Sequence, residues 1–141
     1  MKFSVNVSGA NLLTPAARKP ALYKKAATLA LKREKVKARG ELNLVFVTRK
    51  RMLAINKQFL GHNYDTDVVA FDYYDDEVFG DVFISAYMAR KQAADLKHSL
   101  LEEALTLVLH GTLHLCGHDD HAPKKKKKMF ARQTALLAEL L

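Results

Sequence analysis

Several things are scarce in this 141-residue sequence, and each scarcity removes a class of protein. There is one cysteine, Cys116, so no internal disulfide can staple the chain, which fits a reducing compartment. No apolar stretch runs far enough to cross a bilayer before Glu, Lys or His interrupts it, so no membrane partner is expected. The opening Met1-Lys2-Phe3-Ser4-Val5 lacks the apolar core of a secretory signal, and a cytoplasmic location is the expectation. Acidic residues are also in deficit, 15 against 23 Lys and Arg for a net charge of +8. Nearly half of them, Asp65, Asp67, Asp72, Asp75, Asp76, Glu77 and Asp81, fall in one short stretch, so the remainder is more basic than the total suggests. Excess positive charge favours a polyanionic partner, nucleic acid first, although a merely solvated basic surface has the same composition. With no internal repeat and no linker, residues 1–141 read as a single domain long enough to bury a core.

The patterning that is present predicts alternating strands and helices. Residues 2–8 place Phe3, Val5 and Val7 on one side and Lys2, Ser4, Asn6 and Ser8 on the other, a half-buried strand. A helix should fill most of 19–37, with Leu22, Ala26, Leu29 and Ala30 as its buried stripe and lysines outside. A more buried strand follows at 42–47, and Thr48 can cap a helix over about 49–59. Arg49, Lys50 and Arg51 open that helix, where positive charge opposes the dipole; phosphate contact is the functional reading of that choice. Strands at 66–73 and 81–84 are spaced as an antiparallel hairpin around the acidic 75–77 loop. Ser85 can cap a helix over about 86–97, and Ser99 with Glu102 has capping-box spacing for another running into Cys116. That helix carries Leu101, Leu105, Val108, Leu109 and Leu115 as its buried residues. After Lys124 to Lys128 comes a last amphipathic helix with Met129, Phe130, Leu136, Leu137 and Leu140.

The segment His110 to His121 holds four of the six histidines in twelve residues. His110 and His114 are four apart, so a helix aims both imidazoles at one point. Gly117 offers a helix stop, after which the chain can turn back with a third donor. The frame H-x-x-x-H-x-x-G-x-x-ligand puts Asp120 at the ligand position without an insertion, and His121, the better donor by type, is the alternative one residue on. Cys116 lies off the histidine face, and His118, one residue past the glycine, should point elsewhere. Two imidazoles and a third ligand suit one zinc ion per chain, other divalent transition metals remaining open, and leave a position for water. Zinc lowers the pKa of such a water to about 7, so His110 and His114 would serve catalysis through it. A zinc protease keeps its general base directly after the first histidine, and here that residue is Gly111, which demotes peptide hydrolysis.

These residues resemble the YbeY endoribonucleases, the rRNA maturation factors. The family's H-G-x-L-H-L-x-G-Y-D-H is similar to His110-Gly111-Thr112-Leu113-His114-Leu115-Cys116-Gly117-His118-Asp119-Asp120. Upstream, Ile55-Asn56-Lys57-Gln58-Phe59, Thr66-Asp67-Val68-Val69-Ala70-Phe71, Gly80-Asp81-Val82-Phe83-Ile84 and His98-Ser99 are similar to its further motifs. Two departures stand out. The family's third histidine is Asp120 here with His118 in place of its tyrosine, and its arginine after the aromatic is Leu60, for which His62 or Arg49 could compensate.

The resemblance implies an α+β, zincin-like fold, a small mixed four-stranded sheet packed with helices and a metal-binding helix near the C-terminus. It implies cleavage of single-stranded RNA and a part in maturing the 3′ end of small-subunit 16S rRNA, with the ribosome or its small subunit as partner and no role for DNA. Arg49, Lys50, Arg51, Lys124 and Lys125 are the expected RNA contacts, with Asn56 and Thr66 shaping the site. The missing arginine leaves room for a rival, a ribosome-assembly module whose metal is structural.

Overall fold

The alternation at the start of the chain becomes an edge strand. A computed structural model describes residues 3–37, 40–73 and 78–141, and in it Phe3–Ser8 (β1) turns Phe3, Val5 and Val7 inward and the intervening polar residues outward. Gly40–Val47 (β2), Val68–Asp72 (β3) and Val78–Ser85 (β4) complete a sheet in the order β1-β2-β4-β3. β1, β2 and β4 are parallel, while β3 returns antiparallel to β4, with Val68 opposite Ile84 and Asp72 opposite Gly80. The sheet is therefore mixed, as the spacing and the resemblance led one to expect. The tip of the hairpin, 75–77, lies outside the described residues.

Among the described residues four α-helices pack with this sheet, Pro20–Arg33 (α1), Arg49–Ile55 (α2), Ala86–Leu96 (α3) and Leu100–Leu115 (α4), and a fifth, Pro123–Leu140 (α5), packs on α4 and α1. α4 is the most buried. Its Ala104, Leu105, Val108, Leu109 and Leu113 share a core with Leu42, Leu44, Phe46, Val82 and Ile84 of the sheet and with α1. Each fully buried aliphatic there contributes about 1.5–3 kcal/mol of transfer free energy, which fixes the helix that bears the histidines. Ser99 Oγ accepts the Glu102 N–H at 3.1 Å and Ser85 Oγ the Met88 N–H at 3.1 Å, so both predicted caps form.

Four local expectations need correction. In α1 the buried residues are Tyr23, Ala26, Ala27, Ala30 and Leu31, while Leu22 and Leu29 are only half-buried. Small alanines let α1 lie close to its neighbours, and Tyr23 enters the core because its hydroxyl donates to Ala17 O at 2.6 Å; burial lifts that phenol to about 12. The helix also stops at Arg33, since Lys35 takes a left-handed backbone with φ 56°. The second helix is α-helical only to Ile55 and widens into a π-type turn over Asn56–Leu60, beyond which buried Asn56 ties down the following loop.

The third correction concerns α5. Met129, Gln133 and Leu136 form its buried face at helical spacing, which leaves Phe130, one residue round the helix, 65% exposed. The lysines 124–128 form the first turns of this helix, behind Pro123, instead of preceding it. In α4, likewise, Leu101 is half-buried where a buried residue was expected. Among the described residues no helix is long and apolar enough to cross a membrane.

Candidate metal centre and its cleft

The C-terminal end of α4 delivers the two histidines. His110 and His114 stand one turn apart with ring centroids 4.8 Å apart and planes at 74°. The helix then closes in a Schellman arrangement: Gly117, at φ 99°, donates to His114 O at 3.0 Å and His118 N–H reaches Leu113 O at 3.0 Å. This left-handed turn sends 118–121 back along the helix end, which is the fold-back that glycine at 117 suggests.

The fold-back brings Asp120 to the histidines. Its Oδ2 lies 3.8 Å from His110 Nε2 and 3.9 Å from His114 Nε2, and one donor from each of the three residues falls within 4.8 Å of the others. A tetrahedral ion with bonds of about 2.0–2.1 Å needs donors roughly 3.4 Å apart, so the two distances from Asp120 to the histidines lie within about half an ångström of what one requires. His121 instead falls in a group with Asp119 and Asp120, exposed, its N–H donating to Asp119 Oδ1 at 2.6 Å. That bond holds the Asp119 carboxyl below the usual range.

The surroundings prepare the donors. Burial, then the neighbouring His110, lowers the pKa of His114, which keeps it neutral near pH 7, the form that binds metal. Gln133 on α5, itself buried, places its carboxamide oxygen 3.0 Å from His110 Nδ1. An oxygen only accepts, so Nδ1 carries a proton, and Nε2, on the side of Asp120, is the nitrogen left for a metal. Burial pushes the Cys116 thiol up to about 12, so it stays protonated at neutral pH, and it is not among the converging donors. His118 does point elsewhere, bonding to Glu34 at the end of α1, and Arg132 Nε sits 3.3 Å from the same carboxylate. This clasp ties the ligand-bearing loop to both α1 and α5.

Gly111, where a protease would keep its base, faces the sheet. A Cβ there would stand 2.4 Å from Val82 Cγ1 and 3.1 Å from Val68 Cγ2, so no side chain fits. Close helix-to-sheet approach demands the glycine.

The donors open on a cleft of about 790 Å³, lined among others by Leu60, His62, Tyr64, Thr66, His114 and Asp120. Asn56 and Thr66 both act on its wall: Thr66 lines it, and Asn56 Nδ2 holds Tyr64 O at 3.0 Å. A smaller hollow of about 180 Å³ on the other side of the donors is lined by His110, Asp120, Lys126, Phe130 and Gln133.

The basic residues singled out from sequence are distributed differently. Arg49 binds Asp65 through two bonds, of 3.0 and 2.8 Å, and lies 4.5 Å over the Tyr87 ring, while Lys50 and Arg51 are exposed and line neither space. Lys124 is exposed, and Lys125 Nζ is 3.8 Å from Asp119. Of the two residues offered in place of the arginine, His62 reaches the cleft wall, beside Leu60, and Arg49 is joined to that wall through Asp65. Sequence reasoning missed Gln133 and the position of Lys126. The i, i+4 step from Met129 to Gln133 put a polar residue on the buried stripe of α5, and that was the signal available.

A mixed four-stranded sheet packed with a helix that bears two histidines, and a donor set that could hold a metal ion, define the class: a zincin-like α+β domain with a candidate metal site. The family profile described as Endoribonuclease YbeY matches residues 10–141. The chain is 40% identical over 118 residues to the Endoribonuclease YbeY of Elusimicrobium minutum, covering 79% of this chain and 82% of that one. It is 34% identical to that of Parabacteroides distasonis over 125 residues, 86% and 88% of the two chains. The solution structure of TM1509 from Thermotoga maritima superposes with a TM-score of 0.66 at 25% identity, covering 98% of this chain and 88% of the other. This chain belongs to the YbeY endoribonuclease family.

Proposed function

We propose that this protein, acting as one domain over 1–141, is a metal-dependent endoribonuclease that cuts single-stranded RNA during maturation of the 3′ end of 16S rRNA, in the cytoplasm and on or near the small ribosomal subunit. The observation that carries the reading is the convergence of His110 Nε2, His114 Nε2 and Asp120 Oδ2 at the rim of an open cleft. Two imidazoles and a carboxylate suit zinc among divalent ions, and Asp120 is preferred to His121 as third ligand because its oxygen already stands beside both rings. Bound there, the ion would supply Lewis acidity, lowering the pKa of water to about 7 and polarising a phosphoryl oxygen.

The chain's own residues supply the rest. Gln133 orients His110, and the neutral His114 offers its lone pair without first releasing a proton. Lys126, beside His110 and Asp120, is placed to hold a phosphate, with Lys124 and Lys125 one or two residues before it on the exposed start of α5. Arg49, Lys50 and Arg51 would meet the strand further from the scissile bond. Leu60 at the family's arginine position favours the second reading, an assembly factor with a structural metal and weak nuclease activity.

End-labelled single-stranded and duplex RNA incubated with the zinc-loaded protein separates these. Cutting of the single strand, abolished by chelation and by His114→Ala, is expected. Cleavage that survives His114→Ala exposes a contaminant and removes the enzyme claim, while tight RNA binding with no cleavage supports the assembly factor.

A further inference from the structure

The wall of the cleft opposite α5 is built by the loop after the π-type turn, and it presents two aromatic rings to solvent. The rings of His62 and Tyr64 stack face to face, centroids 4.8 Å apart and planes at 18°. Tyr64 is 58% exposed and His62 is exposed as well, yet both line the space that contains His114 and Asp120. A tyrosine left this open contributes little to the core, so its placement calls for another explanation.

The stack is held in place from beneath. Asn56, fully buried at the start of the π-type turn, accepts the His62 N–H at its backbone oxygen at 3.1 Å and donates from Nδ2 to Tyr64 O at 3.0 Å. One residue therefore fixes the backbone at both rings. Arg49 adds a third tether through its paired bonds to Asp65, the next residue along. The rings are thus preorganised, and little ordering remains to be done when a ligand arrives.

The charge of this wall decides which part of a nucleic acid it can meet. Asp65, Asp67 and Asp72 line it, and of these Asp65 is matched by Arg49 and Asp67 is engaged by Gln92 and the Val68 N–H. Asp67 and Asp72 leave negative charge on this wall, which repels phosphates, whereas the face of an aromatic ring accepts any nucleobase. The opposite side of the donors offers Lys126, which suits a phosphate. A strand crossing the site would therefore run with its backbone toward α5 and a base toward the His62–Tyr64 stack.

We infer that the His62–Tyr64 stack is a nucleobase-binding subsite, a platform that takes one unpaired base of the RNA next to the phosphodiester at the metal donors. This rests on the endoribonuclease reading and adds to it a physical basis for single-strand preference. A base within a duplex is stacked on its neighbours and cannot lie on the platform without leaving the helix. Leu60, in the same wall, gives the base an apolar edge where the family has arginine.

The test uses a short single-stranded RNA carrying 2-aminopurine, whose fluorescence falls when the base stacks, mixed by stopped flow with zinc-loaded protein and read before cleavage accumulates. The wild type quenches the probe when 2-aminopurine occupies one position of the strand. Tyr64→Ala loses that quench and binds about tenfold or more weakly, the range for removal of one base–aromatic stack. Tyr64→Phe restores both, which a general loosening of the loop would not predict. An RNA with an abasic nucleotide at the same position binds wild type and Tyr64→Ala alike. Unchanged quenching and affinity in Tyr64→Ala, with its zinc content intact, overturns the platform. If the wild type binds no RNA, the endoribonuclease reading fails first and the platform falls with it; if it binds and cuts RNA but never quenches, only the platform is lost.

Discussion

Substituting Gly111 by alanine tests whether the histidine helix lies as close to the sheet as the packing requires. The added Cβ would stand 2.4 and 3.3 Å from the two methyls of Val82 and 3.1 Å from Val68 Cγ2. Because both Val82 methyls obstruct it, turning that side chain does not clear the space, and α4 must move off β3 and β4. Overpacking of a dense core costs about 1–3 kcal/mol. The backbone effect runs the other way, since alanine favours a helix interior over glycine by about 1 kcal/mol. With the clash at the upper end of its range, the net loss is about 2 kcal/mol. At roughly 2.1 cal/mol/K of unfolding entropy per residue, the 141 residues give about 0.3 kcal/mol/K, so Tm should fall by about 7 °C. Thermal melting followed by circular dichroism reads this directly. A variant that melts at or above the wild-type temperature would mean that the helix does not sit against Val82 and Val68, and the delivery of His110 and His114 would need another basis.

Other outcomes follow from the same geometry. Gln133→Leu keeps the volume on α5 but leaves the His110 Nδ1–H without its acceptor, and the affinity for zinc in a chelator competition should drop about 10–100-fold; an unchanged affinity would show that the contact does not orient the ligand. Glu103 is nearly fully buried, and burial raises its pKa above the ordinary 4.5 despite the opposing His98. A folded-state pKa raised in this way stabilises the fold below the unfolded value and loses that contribution as pH climbs through the folded one. Glu103→Gln should therefore gain stability relative to wild type as denaturant melts move from about pH 4 toward 7, and a difference independent of pH would contradict the assignment.

The sequence carried the parts of the fold that depend on local rules. Ser85, Ser99 and Thr48 cap as their spacing suggests, and period-two alternation located β1. The i, i+4 pair and Gly117 announced the candidate site, because helix periodicity and a left-handed turn are properties of a few adjacent residues. What escaped was set by contacts outside the helix or strand concerned. Tyr23 rather than Leu22 enters the core because Ala17 O receives its hydroxyl, and Gln133 matters because α5 crosses α4 beside His110. The pairing of Arg49 with Asp65, sixteen residues later, was equally hidden from its neighbourhood in the sequence. The reason for Gly111 also lies outside its neighbourhood, in valines of two strands.

The central claim is that His110, His114 and Asp120 hold one metal ion per chain. Metal content after equilibration with zinc and desalting, measured by mass spectrometry for wild type, Asp120→Ala and His121→Ala, tests it most directly. One zinc per chain in wild type and His121→Ala, with loss in Asp120→Ala, is the predicted result. Zinc retained by Asp120→Ala and lost from His121→Ala would contradict it and hand the third position to the histidine.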